Sequence, residues 1–407
     1  MPRSPSNNPY TPNAGARPPA LVGRGDELRA FELLLDRLLN GYTAQSMIAI
    51  GLRGVGKTVL LGEFRAAAAE RGWTTVEAEI TKHEDFGPRM AALARRALLQ
   101  VAPRSRWKDR GHRAAQILRA FQLTVSPDGA VTGGLRDIEP ADGFADSGGL
   151  AEDLSDVIVA IGEAAEEQSS GVVFLFDEVH FLALRELEAV IAALHRTVQR
   201  GLPVTFVGAG LPQLPELAGE AKSYAERLFR FPEVGTLPGD EAARALIDPA
   251  SNLGVEYDAS AVEAIVAYTE GYPYFLQEYG YIVWDVSAAS VISKDDVIQA
   301  QELVEAKLDG SFFKVRADRT TELELRYLRA MAELGPRPHQ ARDVAAVLDR
   351  KSQQLGPTRA RLIEKGLLYT PGYGLAAFTV PQFDRYMRRN HDLVLGSSKH
   401  ADAAHER

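Results

Sequence analysis

The stretch SMIAIGLRGVGKTVLLGEF, residues 46–64, constrains the fold of this chain more than any other part of the sequence. Its first five residues form a short apolar run that is typical of a buried strand, and the residues after Lys57 show helical periodicity. At the junction, Gly51, Gly56, Lys57 and Thr58 fit the pattern G-x-x-x-x-G-K-[ST], which is that of a phosphate-binding loop. The sequence therefore predicts a strand, a glycine turn and a helix arranged around a phosphate group.

The chemistry of this loop predicts bound ATP or ADP with Mg²⁺. Glycine lets backbone amides approach phosphate oxygens closely, and the N-terminus of the following helix adds partial positive charge. We expect Lys57 to reach the terminal phosphates and the hydroxyl of Thr58 to bind Mg²⁺. The predicted nucleotide contacts from this segment are Arg53, Gly54, Val55, Gly56, Lys57, Thr58 and Val59.

A second apolar run, GVVFLFDEVHF at residues 171–181, predicts a buried strand that ends in two carboxylates. We expect Asp177 to bind Mg²⁺ through Thr58 or water, and Glu178 to polarise the attacking water as a general base. A kinase positions a substrate hydroxyl rather than a water, so the adjacent acid favours ATP hydrolysis over phosphoryl transfer to a small molecule. The catalytic residues predicted from these two segments are Lys57 and Glu178.

Further strand signals extend the same arrangement. TTVEAEI (74–80) and PVTFVGAG (203–210) are rich in β-forming residues, and each follows a helical pattern. Helices that alternate with strands predict a parallel, doubly wound α/β sheet, with the ligand at the carboxyl edge of the strands.

Together these segments resemble the AAA+ and STAND branch of P-loop ATPases, in particular the initiator-like (origin-recognition-like) ATPases of bacteria and archaea. LVGRGDEL (21–28) resembles the N-terminal box of that family, which implies that Val22, Gly23 and Arg24 lie near the adenine. AERLFRF (225–231) occupies the place of the arginine finger, which implies a catalytic role for Arg227. GYPYFLQ (271–277) resembles the Gly-x-Pro motif of a helical lid and implies nucleotide contact by Pro273.

Two departures from the family pattern favour a slow nucleotide-dependent switch over a motor. The predicted strand at 203–210 ends in Gly208, Ala209 and Gly210, where many relatives carry a polar residue that senses the terminal phosphate. The lid segment GYPYFLQEYG lacks the arginine that AAA+ motors place over the phosphates. Nucleotide binding is therefore a firmer expectation than fast turnover.

The C-terminal region predicts a winged helix-turn-helix. TTELELRYLRAMAELG opens with a capping box from Thr321 to Glu324, and QARDVAAVLDR and SQQLGPTRARLIEKG follow as two more helices. LLYTPGYGLAAFTV then predicts a strand, a Pro-Gly turn and a strand, and LIEKGLLY (362–369) resembles the end of a recognition helix. Gly356 and Pro357 are expected to weaken or break the third helix.

The charge of this region makes double-stranded DNA a candidate partner. Residues 318–389 hold 13 Lys/Arg and 8 Asp/Glu, a net charge of +5. The rest of the chain has a net charge of −14, which gives −9 for the whole chain. The third helix of such a module can enter a DNA major groove. Winged helices also dock proteins, so a STAND-like signalling regulator with a protein partner stays the alternative. The predicted DNA contacts are Gln354, Thr358, Arg359, Arg361 and Lys365.

Composition and resemblance complete the predicted organisation. The chain has no cysteine and no apolar run of the ~20 residues that a membrane-spanning helix needs, so we expect a cytoplasmic protein without a membrane partner. An arginine finger that acts between subunits would imply a nucleotide-dependent homo-oligomer. The predicted fold is a doubly wound parallel P-loop NTPase core with an all-α lid and a winged helix-turn-helix domain. Its segments are a disordered tail (1–20), the ATPase core (21–238), the lid (239–315), the winged helix (316–390) and a second disordered tail (391–407), with ATP and Mg²⁺ between core and lid.

Overall fold

The chain separates into two compact units. The computed structural model describes residues 4–82, 84–126, 135 and 137–391. The core unit comprises Leu21–Gly51 and Gly56–Gly235, and the flanking unit comprises Met1–Ala20, Leu52–Val55 and Thr236–Arg407. Within the residues that the structure describes, no helix is both long enough and apolar enough to cross a membrane.

The core unit is built on a five-stranded parallel sheet, as the sequence predicts. Four of its strands coincide with the predicted strand segments, and a short fifth strand lies at one edge. The strand order is β2-β3-β4-β1-β5. The strands are β1 (Ser46–Ile50), β2 (Thr74–Glu79), β3 (Val172–Asp177), β4 (Val204–Gly210) and β5 (Phe229–Arg230).

The central strands are buried on both faces, which explains why their sequences are apolar runs rather than alternating patterns. All residues of β1 and β4 are buried, and Phe174 of β3 stacks on Phe206 of β4 with ring centroids 4.9 Å apart. In the part of the core unit that the structure describes, eight helices accompany this sheet. They are α1 (Gly25–Leu39), α2 (Lys57–Glu70), α3 (Phe86–Val101), α4 (Asp109–Val125), α5 (Leu150–Glu167), α6 (Leu184–Gln199), α7 (Leu214–Ala221) and α8 (Ala225–Leu228), with short 3-10 turns at Arg104–Arg106 and Val179–Phe181.

The flanking unit is mainly helical. Its first part contains four helices and a pair of two-residue parallel strands, followed by a π-helical turn at Leu308–Phe313 and the short helix α13 (Lys314–Ala317). The elements of the first part are α9 (Gly239–Ser251), β6 (Glu256–Tyr257), α10 (Ala259–Thr269), α11 (Pro273–Val286), β7 (Val291–Ile292) and α12 (Lys294–Lys307).

The C-terminal part of the flanking unit contains three helices, an antiparallel hairpin and a closing helix. A short additional strand makes a three-stranded sheet in the order β8-β10-β9. Helix α16 continues through Gly356 and Pro357, so the expected break does not occur. The elements are α14 (Glu322–Leu334), β8 (His339–Gln340), α15 (Ala341–Val347), α16 (Ser352–Glu364), β9 (Leu368–Tyr369), β10 (Leu375–Phe378) and α17 (Phe383–Asn390).

The N-terminal segment corrects one expectation, because its described part is ordered rather than a disordered tail. Tyr10 is 1% exposed, and its hydroxyl donates to the Leu246 carbonyl at 2.5 Å. Gly280 of α11 leaves room for the ring, since a Cβ there would lie 2.6 Å from the Tyr10 ring. The Trp284 indole N–H donates to the Ser4 carbonyl at 3.1 Å. The predicted C-terminal tail lies outside the described residues, apart from His391.

Candidate functional site

The glycine turn before α2 has the backbone conformation that the phosphate-loop pattern predicts. β1 ends at Ile50 and α2 begins at Lys57. Gly56, the residue that caps this helix, has φ +93°, a left-handed conformation that costs other residues free energy. The Lys57 side chain is buried, and its ammonium donates to the Gly51 carbonyl at 2.9 Å. The cation is therefore held by the backbone of the same loop.

The second half of the predicted site lies beside the start of α2. The Thr58 hydroxyl donates to Asp177 Oδ2 at 2.6 Å, which joins the first turn of α2 to the end of β3. Asp177 Oδ1 accepts from the backbone N–H of Glu178 at 2.8 Å. Two segments that are 119 residues apart in the sequence thus meet as the motif analysis expects.

The donor set at this point fits Mg²⁺. A hydroxyl and a carboxylate are hard oxygen ligands, and Mg²⁺ in nucleotide sites takes one or two protein oxygens and completes its octahedron with water and phosphate. No group of three or more His, Cys, Asp or Glu side chains able to hold a metal occurs in the described parts of the chain. Thr58 and Asp177 are side chains that could hold the ion together with the nucleotide.

Glu178 occupies an unusual backbone conformation directly after β3. Its φ of +53° and ψ of +37° are left-handed, which is uncommon for a residue other than glycine. Its carboxylate Oε2 lies 3.3 Å from Nδ1 of His180, whose side chain is 4% exposed. The sequence motifs predict a role for Glu178 but not for His180, because no spacing rule marks a histidine two residues beyond the acid.

The glycines at the end of β4 have a packing reason. A Cβ on Gly208 would lie 2.8 Å from Cγ2 of Val179, and a Cβ on Gly210 would lie 2.3 Å from Cδ1 of Leu214. From the sequence alone, these positions show only that a polar residue is absent. The structure adds that larger side chains would collide with the turn after β3 and with α7.

The N-terminal box is a structural element of the core unit. Arg24 is 8% exposed, and its guanidinium donates to the carbonyls of Gly23 at 2.9 Å and Gly235 at 2.7 Å. Gly23 has φ +68°, and Val22 is buried. These contacts tie the box to the end of the core unit, and its predicted role at the adenine stays a prediction.

The predicted arginine finger is exposed. Arg227 lies on the short helix α8, immediately before the edge strand β5, which pairs with β1 through Ser46 and Phe229. No salt bridge to Arg227 is found within the described residues, so the structural ion pair that would explain this arginine without a catalytic role is not seen. Its guanidinium is accessible to a ligand or to a neighbouring molecule.

The middle of the phosphate loop, Leu52–Val55, belongs to the flanking unit. Gly54 has φ +82°, and a Cβ on it would lie 2.9 Å from the Tyr272 hydroxyl. The Gly54 carbonyl accepts from the backbone N–H of Tyr274 at 3.3 Å, and the Arg53 N–H donates to the Thr379 carbonyl at 3.3 Å. Burial raises the pKa of the Tyr272 hydroxyl. Tyr272 is thus a neighbour of the loop that the sequence analysis missed.

The Gly-x-Pro motif forms the turn before α11. Pro273 is the first residue of the helix, a position that suits proline. Gly271 has φ +69°, and a Cβ on it would lie 2.3 Å from the Leu237 carbonyl oxygen. Turn geometry therefore accounts for both residues, and contact of Pro273 with a nucleotide remains a prediction.

The five predicted DNA contacts differ in their surroundings. Thr358 is 1% exposed, so its side chain is part of the interior and not of a reading surface, which corrects that expectation. Arg359 donates to the Leu375 carbonyl, which ties α16 to the hairpin. Gln354 is exposed at the start of α16, where its amide oxygen accepts from the N–H of Lys351 at 3.2 Å.

The other two predicted DNA contacts share a buried acid. Arg361 and Lys365 donate to the carboxylate of Glu324, whose side chain is fully buried, at 3.0 and 2.6 Å. Burial alone would raise the pKa of Glu324, but the hydrogen bonds from Lys365, the Thr321 N–H and Arg361 outweigh it and hold the pKa at about 2. Arg361 and Lys365 therefore stabilise the fold of this module, whatever else they contact.

Comparison with known proteins agrees with this geometry. Residues 20–207 match the AAA ATPase domain family, and residues 310–387 match a domain of unknown function (DUF8462). No curated protein matches the chain. The Walker-type ATPase paby2304 of Pyrococcus abyssi is similar in structure, with a TM-score of 0.50 at 16% identity over 91% of this chain and 97% of that one.

Two other solved structures align at lower TM-scores. The Aeropyrum pernix Orc1 protein in complex with DNA has a TM-score of 0.44 at 15% identity, covering 92% of this chain and 94% of that chain. The Thermotoga maritima RuvB Holliday junction branch migration motor has a TM-score of 0.43 at 17% identity, covering 90% and 95%. The matched domain at residues 20–207 contains the phosphate loop, β3 and most of β4. Residues 20–207 thus carry an AAA ATPase domain, and the chain is similar in fold to the Walker-type ATPase of Pyrococcus abyssi.

Proposed function

We propose that this chain is a nucleotide-dependent switch that binds ATP or ADP with Mg²⁺ and hydrolyses ATP slowly. The observation that carries the proposal is the 2.6 Å hydrogen bond between Thr58 and Asp177, with Glu178 directly after it. In this arrangement Lys57 contacts the terminal phosphates and Thr58 and Asp177 hold the metal. Mg²⁺, when bound, supplies positive charge that neutralises the phosphates.

Glu178 is the general base in this proposal. Its carboxylate accepts a proton from a water molecule, whose oxygen forms a bond to the γ-phosphorus as the bond to the β–γ bridging oxygen breaks. The products are ADP and inorganic phosphate, so the atoms of ATP and water are all accounted for. The left-handed backbone of Glu178 fixes where the carboxylate leaves the sheet edge.

Equilibrium binding tests the nucleotide site directly. A fluorescent ATP analogue is titrated into the native chain with Mg²⁺ and then with EDTA. We expect the affinity to fall by at least about tenfold, or 1.4 kcal/mol, when Mg²⁺ is removed. Because Lys57 donates to Gly51, a Lys57→Ala change also perturbs the loop, so its melting temperature is measured alongside its affinity. Equal binding in Mg²⁺ and EDTA would contradict the proposed metal ligands.

Arg227 is proposed to act as an arginine finger, in its own subunit or in a nucleotide-dependent homo-oligomer. Its exposure and the lack of an ion pair within the described residues support this role. An arginine finger contributes about 10³-fold or more to turnover. Arg227→Ala should therefore reduce hydrolysis steeply and leave stability unchanged, whereas Arg230→Ala is the matched control on the adjacent strand. Recovery of turnover on mixing Arg227→Ala with Glu178→Gln would assign the finger to a neighbouring subunit.

The C-terminal part is proposed to be a winged helix, residues 316–390, that follows a helical lid, residues 239–315. Association with double-stranded DNA is supported by the excess of Lys and Arg at residues 318–389 and by the exposure of Gln354 on α16. If the module binds DNA through its phosphates, we expect the affinity for DNA to fall steeply as the salt concentration rises. Because Arg361 and Lys365 also neutralise Glu324, the informative variant is the triple change Glu324→Gln, Arg361→Gln and Lys365→Gln, which removes the buried acid together with both of its cationic partners.

A second candidate role for this module is protein docking in a STAND-like signalling regulator. The burial of Thr358 and the contact of Arg359 with Leu375 favour it, since both residues serve the module's own structure. Binding of duplex DNA with a steep salt dependence would select the first role. Nucleotide-dependent self-association without DNA affinity would select the second.

A further inference from the structure

His180 lies against the carboxylate that we propose as the general base. Its Nδ1 atom is 3.3 Å from Glu178 Oε2, and its side chain is 4% exposed, compared with 21% for Glu178. Both residues belong to the segment that leaves β3 at the edge where Asp177 meets Thr58. The pair is therefore part of the same sheet edge as the proposed metal ligands.

The backbone after β3 brings the imidazole to this position. Glu178 turns the chain with a left-handed conformation, and Val179–Phe181 forms a 3-10 turn closed by a 2.9 Å hydrogen bond from the Phe181 N–H to the Glu178 carbonyl. The ring of Phe181 packs on His180 with centroids 4.2 Å apart. These contacts place the imidazole between the Phe181 ring and the Glu178 carboxylate.

The end of β4 lies against this imidazole as well as against Leu214. A Cβ on Gly210 would lie 3.3 Å from His180 Nδ1 and 3.4 Å from its backbone N. β4 itself offers only Gly208, Ala209 and Gly210 at the edge where the site lies, and none of them has a polar side chain. His180 is thus the polar side chain that occupies the space beside the end of β4.

A purely structural histidine would explain the burial, but it would not explain the conformation of its partner. A left-handed backbone at a residue other than glycine costs about 1–2 kcal/mol, and such strain is usually retained where it sets the direction of a functional group. Here the strained residue is Glu178 itself, and its carboxylate lies 3.3 Å from the imidazole of His180.

We propose that His180 is a positioning residue for Glu178, holding its carboxylate directed toward the attacking water. The two atoms are 3.3 Å apart without the alignment of a hydrogen bond, and in the tautomer with its proton on Nδ1 a small rotation of the ring would let His180 donate to Glu178 Oε2. A base held in one direction accepts a proton from a bound water more often than one that rotates. This inference rests on the proposed function, in which Glu178 is the base of an ATPase.

Three substitutions of His180 in the full chain separate positioning from packing. His180→Leu removes the donor, and we expect kcat for ATP to fall about 10²-fold while KM and the dissociation constant of ATP stay within about twofold. His180→Asn places an amide nitrogen near the position of Nδ1 and should restore kcat to within about tenfold of the native chain. His180→Gln places its amide nitrogen farther out, near the position of Nε2, so its kcat should be as low as that of the leucine variant.

The matched control is His195→Leu. His195 lies on α6 in the same unit and packs on Tyr224 with ring centroids 4.6 Å apart. It is partly buried, so its loss reports the general cost of removing a histidine from the core unit. We expect kcat to be unchanged in this variant. Melting temperatures of all variants are measured, and the comparison of asparagine with glutamine remains decisive if the leucine variant does not fold.

The outcomes distinguish this inference from the proposed function. If Glu178→Gln abolishes turnover and His180→Leu leaves kcat unchanged, the positioning role is overturned and the ATPase stands. If the asparagine variant loses as much kcat as the glutamine variant, the donor at Nδ1 has no role and the inference is overturned. If the native chain binds ATP but does not turn it over, the hydrolytic function fails, and the positioning role fails with it.

Discussion

The hydroxyl of Thr58 donates a 2.6 Å hydrogen bond to the carboxylate of Asp177. This contact joins the helix that follows the phosphate loop to the strand that ends in the two acids. Because a hydroxyl and a carboxylate at this separation are oxygen ligands suited to Mg²⁺, the contact marks where metal and phosphate would meet.

Thr58→Ala should weaken Mg²⁺-dependent ATP binding by about tenfold or more, because the hydroxyl is one of two protein oxygens available to the ion. Thr58→Ser keeps the hydroxyl and should retain most of the affinity. Titration of a fluorescent ATP analogue at fixed Mg²⁺ measures both. If the alanine and serine variants lost the same amount of ATP affinity, the methyl group of Thr58, and not its hydroxyl, would be the group that contributes to binding.

Gly56→Ala should distort the phosphate loop through its backbone alone. Gly56 has φ +93°, and no atom lies within 4 Å of the position of an added Cβ, so the cost is conformational, about 1–2 kcal/mol. Gly62→Ala is the matched control, because Gly62 lies inside α2 and its added Cβ also meets nothing within 4 Å. That change should stabilise the chain by about 0.5–1 kcal/mol. Thermal unfolding and ATP affinity are the measurements, and a loss of affinity in Gly62→Ala would count against this account.

Glu324→Gln should destabilise the C-terminal module by about 2 kcal/mol, because it weakens hydrogen bonds from Arg361 and Lys365 to a buried carboxylate. The folded pKa of about 2 lies below the ordinary value of 4.5. The contribution of the ionised acid is therefore fully present above pH 4.5 and is lost as the pH falls toward 2.

Chemical unfolding of the native chain across this pH range measures the slope of stability with pH, which Glu324→Gln should reduce. Glu322→Gln is the control, because Glu322 is exposed on the same helix. A native slope that survives the Glu324→Gln change would assign the acid sensitivity to other carboxylates.

Tyr10→Ala should destabilise the flanking unit by about 3–5 kcal/mol, because it removes a buried ring that packs on Gly280 and lies edge-on to Trp284. Tyr10→Phe should cost about 1–2 kcal/mol, since the Leu246 carbonyl loses a donor. Tyr42→Ala, at a tyrosine that is 63% exposed, should change stability by less than about 0.5 kcal/mol. Denaturant unfolding followed by circular dichroism measures these changes, and a Tyr10→Ala variant as stable as the native chain would show that the N-terminal segment is dispensable.

The sequence predicts the parts of this site that depend on local pattern and on strand order. The apolar runs at β1 and β3 are long enough to identify buried parallel strands, and such strands share one carboxyl edge. The meeting of Thr58 with Asp177 follows from that topology. The glycine spacing likewise predicts a turn between β1 and α2, and the structure shows that Gly56 in this turn is left-handed.

The sequence does not predict contacts that depend on the exact register of packed elements. Tyr10 reaches Leu246 across 236 positions, and no periodicity in the N-terminal segment indicates a partner at that distance. The position of His180 depends on which residue of β4 faces the turn after β3, and a shift of one residue would move the opening at Gly210 away from it. The sequence likewise does not show that Arg361, which it places on a basic helix face, forms an ion pair with Glu324 inside the module.

ATP turnover by the native chain and by Glu178→Gln tests the central claim most directly. The account predicts measurable Mg²⁺-dependent release of phosphate by the native chain and a loss of at least about 10²-fold in the variant, with ATP affinity retained. Equal turnover in the two chains would contradict the assignment of Glu178 as the base, and no turnover in the native chain would contradict the claim of hydrolysis itself.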